Sequence, residues 1–537
     1  MNRHKFILCA FLFALLTSCT PSEAFKFQVT ILPQDRGLFF IPLSGQLDSV
    51  WNKPYHWKIN WGDGTKQTVS NLDLDAPQNE AQSRGIFKKY KITGNFTITI
   101  TPAGSTDAWL SAFGFYTNLD GANARKNKDK VTQIISPLTP LMTRTHAQID
   151  ANEAPDNEWR DAFNGCSRLT MDEGFSFSED WNKITFAGHH FARGMFNGCG
   201  RTTFKMSEKF NLPEGLTQVG DGFARDMFAN CSGDFFTMND LFNLPAGIIN
   251  AGDGFACKLF YNCYGAKFAM NQRFNLPAGI TNARHDFAYG MFSGCVGDAF
   301  TMNSVFNLPS EMTTVDDNFA NGMFFSCSGS TFTMNDVFNL PSGITTLRHN
   351  FASAMFAYCN GAAFTMNDVF NLPQKITTVG HHFASELFAV CSGSAFTMNQ
   401  RLTLPEGITT VGDHFASAMF FQCRGPAFTM NSVFNLPQKI TTVGKGFANR
   451  MFAYCSGAGF IVNRVFVFPV LSKRDLDKTD VYFRTFFYMG ANSIQKRTAA
   501  SIIGHNPTPN MHKETFSDSG CFFMHPSVHR HWGNDNY

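Results

Sequence analysis

Charged residues are scarce in this sequence and almost balanced in sign. They make up 16% of 537 residues, with 44 Lys and Arg against 42 Asp and Glu, so the formal net charge is +2 at pH 7. Such a small charge on such a long chain gives no electrostatic signal for nucleic acid or for an anionic membrane surface. We therefore expect no nucleic-acid partner.

Catalytic motifs are also missing from the sequence. We find no nucleotide-binding glycine loop, no activated nucleophile and no carboxylate pair in a unique setting. An active site is made once and requires such a constellation. The sequence therefore predicts a protein that is not an enzyme and that holds no cofactor.

Phenylalanine, in contrast, is abundant, with 60 residues, and hydrophobic residues make up 44% of the chain. This apolar content is ample for burial and argues against disorder. A chain of this length is too long for one ordinary core, so several domains or one long repeat array are expected.

The first residues have the pattern of a secretory signal. Arg3 and Lys5 precede an apolar run over residues 6–16, which is too short to span a bilayer as a mature anchor. The following segment Leu16–Cys19 (LTSC) resembles the bacterial lipobox. This resemblance implies a signal peptide over residues 1–18, lipidation of Cys19 and a short tether over residues 19–24.

Two or three acyl chains on one residue anchor a protein stably without a transmembrane helix. Thr20 is not the aspartate that tends to retain such proteins at the inner membrane, so we predict a lipoprotein of the outer membrane, exposed at the bacterial cell surface. The alternative is an ordinary cleaved signal with an incidental cysteine. Both interpretations predict export.

Cysteines and prolines recur with one fixed step. The cysteines stand 32 residues apart, after a first one, Cys166, that precedes them by 33: Cys199, Cys231, Cys263, Cys295, Cys327, Cys359, Cys391, Cys423 and Cys455. The prolines keep the same step from Pro213 to Pro469. Because no insertion interrupts this period, the sequence predicts a solenoid of stacked 32-residue coils.

One coil, from Pro405 to Pro437, reads PEGITTVGDHFASAMFFQCRGPAFTMNSVFNLP. Its apolar residues over 415–423 fall on one face at helical spacing, so a short helix is predicted there. The alternating segments 428–430 and 434–436, and the shorter segment 408–411, predict brief strands. Proline lacks a ladder donor, which fits its fixed place at a strand end.

Asparagine also forms a column with this step, directly after the FTM segment. Its members are Asn239, Asn271, Asn303, Asn335, Asn367, Asn399, Asn431 and Asn463. Stacked asparagines can bond the turn amides that each coil would otherwise bury without partners. We therefore predict a structural ladder, because a catalytic residue would not recur in every coil.

Regular cysteines in an exported protein raise the question of disulfides. A helix in every coil would hold neighbouring coils about 8 to 10 Å apart, whereas a disulfide needs Cα atoms within about 7 Å. We therefore predict buried thiols that pack as small apolar residues, and we disfavour zinc for the same reason. Cys257 is an extra cysteine outside the column.

Histidines gather at one variable polar position before the predicted helix. Those in the central coils are the candidate binding surface: His285, His349, His381, His382 and His414. A metal-binding stripe is the alternative, but histidine pairs without a third ligand seldom hold zinc. Other coils place Asp221-Gly222 or Lys445-Gly446 there, which favours a solvated turn without metal.

The segment 405–412 (PEGITTVG), followed by Phe-Ala, an apolar pair and Cys423, is similar to the BspA-type leucine-rich repeat of bacterial surface proteins. The similarity covers residues 161–470, although the unit is longer and uses phenylalanine where the family uses leucine or isoleucine. It implies an α/β solenoid with a short strand and a short helix per coil. It also implies binding of host matrix proteins or other bacteria, and a C-terminal cap over residues 471–537 that includes Cys521–Val528.

Upstream, the segment Ile59–Thr65 (INWGDGT), Tyr90 and the segment 94–100 (GNFTITI) look like a PKD-type β-sandwich. This resemblance implies a small all-β domain over residues 25–105. Asp63 is expected to form a turn and not to bind metal, because Asp-Gly is the strongest short-range hairpin signal. Residues 106–160 are then a linker and an N-terminal cap of the solenoid.

The leading functional hypothesis is a non-enzymatic adhesin or interaction scaffold. It would bind host or bacterial surface proteins through the side of the solenoid and contact the membrane through its N-terminal lipid. One alternative is a carbohydrate-binding module centred on the PKD-like domain. Another is a structural spacer of the envelope, which the near-identity of the coils fits.

Overall fold

The computed structural model of the protein describes residues 24–42, 56–70, 85–103, 127–144, 146–200 and 204–456, shorter stretches between 460 and 486, and residues 498–500 and 521–523. Within these ranges, no helix is both long and apolar enough to cross a membrane. The predicted signal peptide, the lipidation site Cys19 and the predicted tether up to residue 23 lie outside the described residues, as does Asn463.

The N-terminal part consists of strands in two layers. The strands are β1 (Phe25–Ile31), β2 (Leu38–Pro42), β3 (His56–Asn60), β4 (Lys66–Ser70), β5 (Gly85–Lys89), β6 (Gly94–Pro102) and β7 (Val131–Ile134). Buried and partly exposed residues alternate along β1, as expected for a strand with one face on a core. Strands β2 and β5 form a separate antiparallel pair, and the ring centroids of Phe27 in β1 and Phe39 in β2 lie 6.4 Å apart.

The larger sheet continues from this part into the first coil. Its strand order is β4-β3-β6-β1-β7-β8, where β8 is Thr170–Met171. Strand β7 pairs antiparallel with β1 and parallel with β8. Residues 131–134, inside the segment predicted as linker and cap, thus join the N-terminal sheet to the coils.

The repeat region is a solenoid, as predicted. It contains one two-residue strand per coil: β9 (Phe186–Ala187), β10 (Gln218–Val219), β11 (Asn250–Ala251), β12 (Asn282–Ala283), β13 (Thr314–Val315), β14 (Thr346–Leu347), β15 (Thr378–Val379) and β16 (Thr410–Val411). Paired residues are 32 positions apart and parallel, as in Gln218↔Asn250 and Thr378↔Thr410. The repeat period is therefore the length of one coil.

The helix predicted in each coil is wrong. Within the described residues, α-helix is found at residues 127–128, α1 (His146–Asp150) and α2 (Lys473–Leu476), none of them in the repeated segment, with 3-10 turns at Pro33–Asp35, Pro140–Met142 and Glu179–Lys183. Over residues 414–418, right-handed and left-handed conformations alternate instead, with φ of 58° at His414, 49° at Ala416 and 53° at Ala418. The fold is thus a β-solenoid with little helix and not the α/β solenoid that was predicted.

Hydrogen bonds between coils explain this difference. The backbone N–H of Ala416 donates to the carbonyl of Phe383 in the preceding coil, and that of Phe420 donates to Met451 in the following coil, both at 2.9 Å. A helix would satisfy these groups within its own segment. An apolar face at helical spacing is therefore compatible both with a helix and with the alternating backbone found here.

Two of the predicted strands are also absent from the coil that was used to predict them. Residues 428–430 and 434–436 have no strand pairing, whereas Thr410–Val411 does. The N–H of Phe434 donates to Asn431 Oδ1 at 2.6 Å, and that of Leu436 donates to Asn435 Oδ1 at 3.0 Å. Asparagine side chains thus replace the ladder partners of these segments.

Four columns of stacked phenylalanine rings fill the interior. They begin at Phe191, Phe196, Phe204 and Phe210 and continue every 32 residues, with Leu402 as a break in the fourth. Stacked rings within a column have centroid distances between 5.3 and 6.2 Å. Rings of the second and fourth columns meet edge to face, as Phe228 and Phe242 do at 87°, a preferred aromatic geometry. Each coil thereby buries its apolar side chains only by stacking on its neighbours.

A buried ion pair closes the N-terminal end of the array. Arg144 lies fully buried beside Glu158, with Nη2 2.7 Å from Oε2 and Nε 2.9 Å from Oε1. Arg144 also donates to the carbonyl of Phe186 and lies over the ring of Trp181, 5.2 Å from its centroid. Because a buried charge requires such partners, this pair fixes the first coil.

Residues 480–482, 485 and 486 pack on the last described coil. The N–H of Tyr482 donates to the carbonyl of Phe447 at 2.9 Å, and that of Phe452 donates to Thr485 at 2.8 Å. Strands β17 (Thr498–Ala500) and β18 (Cys521–Phe523) pair parallel with each other. The remaining residues of the predicted closing segment lie outside the described ranges.

Candidate functional site

The candidate site is the outer surface of the solenoid, which displays the same positions once per coil. The interior behind it is held by side-chain ladders, and these determine which residues remain for contact with a partner.

The asparagine column binds the backbone of two coils at once. Asn271 Nδ2 donates to the carbonyls of Asn239 at 2.6 Å and Phe242 at 2.8 Å. Its Oδ1 accepts from the N–H groups of Arg273 at 2.8 Å and Phe274 at 2.7 Å. The same four bonds recur at Asn303, Asn335, Asn367, Asn399 and Asn431. Each of these side chains therefore has a structural role.

A second asparagine ladder was missed in the sequence. Asn211 Oδ1 accepts from the N–H of Asn243 at 3.0 Å, and Asn243 Oδ1 accepts from Asn275 at 2.9 Å. The column continues through Asn307, Asn339 and Asn371. Its signal was visible, because the asparagine of the FNLP string has the same 32-residue step.

The cysteine column is buried and reduced. All eleven cysteines that the structure describes inside the coils are free thiols, and each from Cys199 to Cys455 donates its S–H to a phenylalanine carbonyl, at 3.0 to 3.2 Å. The predicted coil separation was wrong, because adjacent coils bond backbone to backbone. Burial raises the pKa of the extra thiol Cys257 to about 12, so it is unreactive as a nucleophile.

The predicted histidine surface resolves into two columns of different character. The first holds His189, Asp221, Asp253, His285, Asp317, His349, His381, Asp413 and Lys445. Its side chains accept from the backbone of the next coil: Asp253 N–H donates to Asp221 Oδ1 at 2.8 Å, and His381 N–H donates to His349 Nδ1 at 2.9 Å. Histidine and aspartate side chains thus both serve as acceptors in one ladder, which we call the turn ladder.

The second column has a backbone constraint. Its members His190, Gly222, Gly254, Asp286, Asn318, Asn350, His382, His414 and Gly446 all have φ between 55° and 68°. These residue types are the ones that adopt the left-handed conformation most readily. This restricted composition was the sequence signal for the left-handed position, and the apparent variability of the column obscured it.

The predicted histidines are brought together in pairs. The ring centroids of His349 and His381 lie 4.6 Å apart, and those of His382 and His414 lie 4.7 Å apart. His285 lies away from these pairs, with Nδ1 3.5 Å from Asp317 Oδ2. Among the described residues, no group of three or more His, Cys, Asp or Glu side chains has a geometry that could hold a metal ion.

One exposed face is formed by threonines on the parallel strands. Thr314 pairs with Thr346, Thr378 with Thr410, and Thr410 bridges to Thr442. The neighbouring hydroxyl of Thr441 donates to the carbonyl of Thr409 at 3.3 Å. From Thr314 to Thr442 this face is uniform from coil to coil and carries no charge at these positions, so it offers a partner little to distinguish one of these coils from the next.

Aromatic residues project from a second face, after the left-handed segment. Phe325 and Tyr358 have ring centroids 5.2 Å apart, and Phe421 and Tyr454, at the same coil positions, 5.7 Å. Lys258 lies over both Tyr261 and Tyr289, 5.3 and 5.5 Å from the ring centroids. Further along this face, Tyr264 has 55% of its surface exposed and Tyr358 has 43%. We call these residues the aromatic face.

A third exposed column is aliphatic and lies just after the first asparagine ladder. It includes Leu241, Val305, Val337 and Val433, which are between 43% and 52% exposed. Single exposed aliphatic side chains are ordinary on protein surfaces. These side chains are exposed but have no aromatic rings, so the column serves as a comparison for the aromatic face.

In the N-terminal part, Asp63 is a turn residue. Its Oδ1 accepts from the N–H of Thr65 at 3.0 Å, and its Oδ2 lies 2.7 Å from Lys88 Nζ. Burial raises the pKa of Asp63, but the hydrogen bonds from Lys88 and Thr65 outweigh it and hold that pKa at about 2. The carboxylate is therefore fully engaged within the protein.

Comparisons with known proteins do not assign this chain to a family. No family model matches the chain, and no curated protein matches it. Among solved structures, a leucine-rich repeat protein from Bacteroides ovatus aligns with 82% of this chain and 90% of its own, at 13% identity and a TM-score of 0.32. A score this low supports no argument, so the resemblances to the BspA-type repeat and the PKD domain stay predictions. The chain is a solenoid by virtue of its own parallel 32-residue ladder.

Proposed function

We propose that this protein is an exported, lipid-anchored interaction scaffold of the bacterial surface, which binds host or bacterial surface proteins through the side of its solenoid. The observation that carries the proposal is the aromatic face. Tyrosine and arginine are enriched at the energetic centres of protein interfaces, and this face combines Tyr264, Tyr358 and Tyr454 with Arg424, whose guanidinium lies 5.9 Å from the ring centroid of Tyr454.

The repeat spacing also favours an extended partner. The pairs Phe325–Tyr358 and Phe421–Tyr454 are 96 residues apart, which is three coils of 32. At about 5 Å per coil, the parallel-strand spacing, they are separated by about 15 Å along the solenoid. A protein that contacts both pairs would cover several coils, as solenoid surfaces generally allow.

The test uses the mature chain from residue 19, without its lipid, immobilised and exposed to purified matrix proteins such as fibronectin, fibrinogen, laminin and collagen. The double variant Tyr358→Ala, Tyr454→Ala should weaken the binding of whichever protein is captured by about tenfold or more, because interface tyrosines are frequent hot spots. The matched control is Val337→Ala, Val433→Ala, which shortens exposed side chains of the aliphatic column and should leave binding unchanged.

Equal binding by the tyrosine variant and the native chain would remove the aromatic face from the proposal. Failure of the native chain to bind any matrix or bacterial surface protein would favour the spacer alternative, which the uniform threonine face also fits. Glycan binding by the N-terminal residues would instead favour the carbohydrate-binding alternative.

A further inference from the structure

The turn ladder contains two kinds of acceptor that differ in their response to pH. The bonded positions are Asp221, Asp253, His349, His381, Asp413 and Lys445, and each N–H bonds the side chain 32 residues earlier. A carboxylate remains an acceptor well below pH 6, whereas an imidazole nitrogen accepts only while it is unprotonated. Three junctions depend on imidazole: one from His189 to Asp221, and two consecutive ones from His349 to His381 and from His381 to Asp413.

The two imidazoles have different surroundings. His381 Nδ1, which accepts from Asp413 N–H at 2.9 Å, also lies 3.4 Å from Asp413 Oδ2. A proton on His381 would therefore find a carboxylate in place. His349 Nδ1 accepts from His381 N–H at 2.9 Å, and the carboxylate nearest in the ladder, Asp317, accepts from the backbone of His349 through Oδ1 at 2.9 Å. Protonation of His349 thus places two N–H donors opposite each other.

The stacked rings of His382 and His414 also disfavour the protonated form of histidine in this segment. His382 and His414 are nearly parallel, at an interplanar angle of 16°. Burial lowers the pKa of His382, the charges of His414, His381 and His349 lower it further, and Asp413 opposes them. The charged or titratable groups that face the histidines from the packed coils are Asp316, Asp317, Arg348, Asp413 and Lys445, of which Asp316 and Arg348 pair with each other at 3.0 Å.

We propose that the coils between Asp317 and Lys445 form a pH-sensitive segment of the solenoid. At neutral pH the uncharged imidazoles of His349 and His381 hold successive turns together. When the imidazoles take up a proton at mildly acidic pH, these bonds are lost and the turns of this segment loosen, while junctions with carboxylate acceptors stay closed.

The direction of the pH effect follows from the proton balance. Because the folded segment holds His382 with a lowered pKa, the open form binds the proton first as the pH falls. Stability of the segment is therefore fully present above the ordinary histidine pKa of about 6.5 and is lost as the pH falls below it.

Amide hydrogen exchange of the full mature chain, followed by mass spectrometry, tests this. After correction for the intrinsic rate, peptides that contain the amides of His381 and Asp413 should exchange about tenfold faster at pH 5 than at pH 7.5, through local opening. The internal control is the peptide with Asp253, whose amide bonds the carboxylate of Asp221 and should change little. Equal behaviour of the three amides would overturn the proposal.

A variant and a second measurement sharpen the test. His349→Asp copies the acceptor used at Asp317 and Asp413, so it should keep protection of the His381 amide at pH 5; continued loss of protection there would contradict the proposal. Independently of any variant, exchange of the imidazole C2–H in the native chain should place the midpoint of His382 below the ordinary value of about 6.5. A midpoint at or above that value would also contradict it.

Discussion

The side-chain amide of Asn303 donates to the backbone carbonyl of Asn271 at 2.6 Å, exactly one coil of 32 residues away. Asn271 makes the same bond to Asn239. The bond therefore links each coil to the one before it, through side chains that are themselves buried. Replacement of one asparagine of this column should therefore destabilise the coils on both sides of it.

We expect Asn303→Leu to destabilise the array strongly. Leucine has a similar volume, but it leaves the carbonyls of Asn271 and Phe274 and the N–H groups of Val305 and Phe306 without partners. Each buried group left unpaired costs about 1 to 3 kcal/mol, so the free energy of unfolding should fall by about 3 kcal/mol or more. Urea denaturation measures it. Ser304→Ala, at the exposed neighbouring position, is the control and should change stability by less than about 0.5 kcal/mol.

Gly322→Ala tests the left-handed backbone directly. Gly322 has φ of 58°, and an added Cβ would meet only ordinary contact, 3.6 Å from Phe325 Cβ. The left-handed conformation of an alanine costs about 1 to 2 kcal/mol, so this variant should lower the unfolding midpoint. In a helix the same substitution would stabilise by about 1 kcal/mol.

The reverse change, Ala354→Gly, occupies the equivalent position one coil later, where φ is 51°. Release of the left-handed strain should offset the greater freedom of glycine in the unfolded chain, so stability should be unchanged or slightly higher. If thermal melting showed Gly322→Ala stabilising and Ala354→Gly destabilising, the alternating backbone would be wrong and the helix right.

Arg144→Ala should weaken the N-terminal end of the array. It leaves Glu158 buried without its partner, and breaking a buried ion pair from one side costs about 3 to 5 kcal/mol. Amide exchange should locate the loss in the first coils. The double variant Arg144→Met, Glu158→Leu should recover most of it, because no charge then remains buried; equal losses in the single and double variants would show that the ion pair itself is not responsible.

The coil thiols should resist alkylation in the folded protein. Because the thiolate is the reactive form, burial that raises the pKa of thiols such as Cys231, Cys257 and Cys295 removes both access and reactivity. Treatment with N-ethylmaleimide at pH 8 and mass spectrometry should find none of the eleven coil cysteines modified without denaturant. Modification of all eleven in urea is the control. Native labelling of the column from Cys199 to Cys455 would show that the coils open.

The solenoid could be predicted from the sequence, because the fixed step of cysteine and proline determines that the coils stack in register. The burial of the phenylalanine columns could also be predicted. The helix prediction was wrong because the apolar spacing over residues 415–423 indicates only which side chains face the interior. The alternating backbone places the same side chains in the interior.

The information needed for the correct backbone lay in a different column. The position of His382 and His414 accepts only Gly, Asn, Asp and His, and such a choice indicates positive φ more specifically than apolar spacing indicates a helix. The pairing of histidines between adjacent coils was predictable, because the 32-residue step places His349 beside His381 and His382 beside His414. Their distances were not, because the coil spacing was overestimated once a helix was assumed.

The equal step of every coil has a consequence for how this molecule can vary. Since the backbone pairing and the first asparagine ladder keep the same 32-residue step at successive junctions, unequal recombination within the coding sequence could delete or add whole coils and leave the register of the remaining coils unchanged. Each added coil would extend the molecule by about 5 Å. Length is thus a heritable quantity that can change in equal increments, and isolates of one lineage could carry rods of different reach with the same two ends.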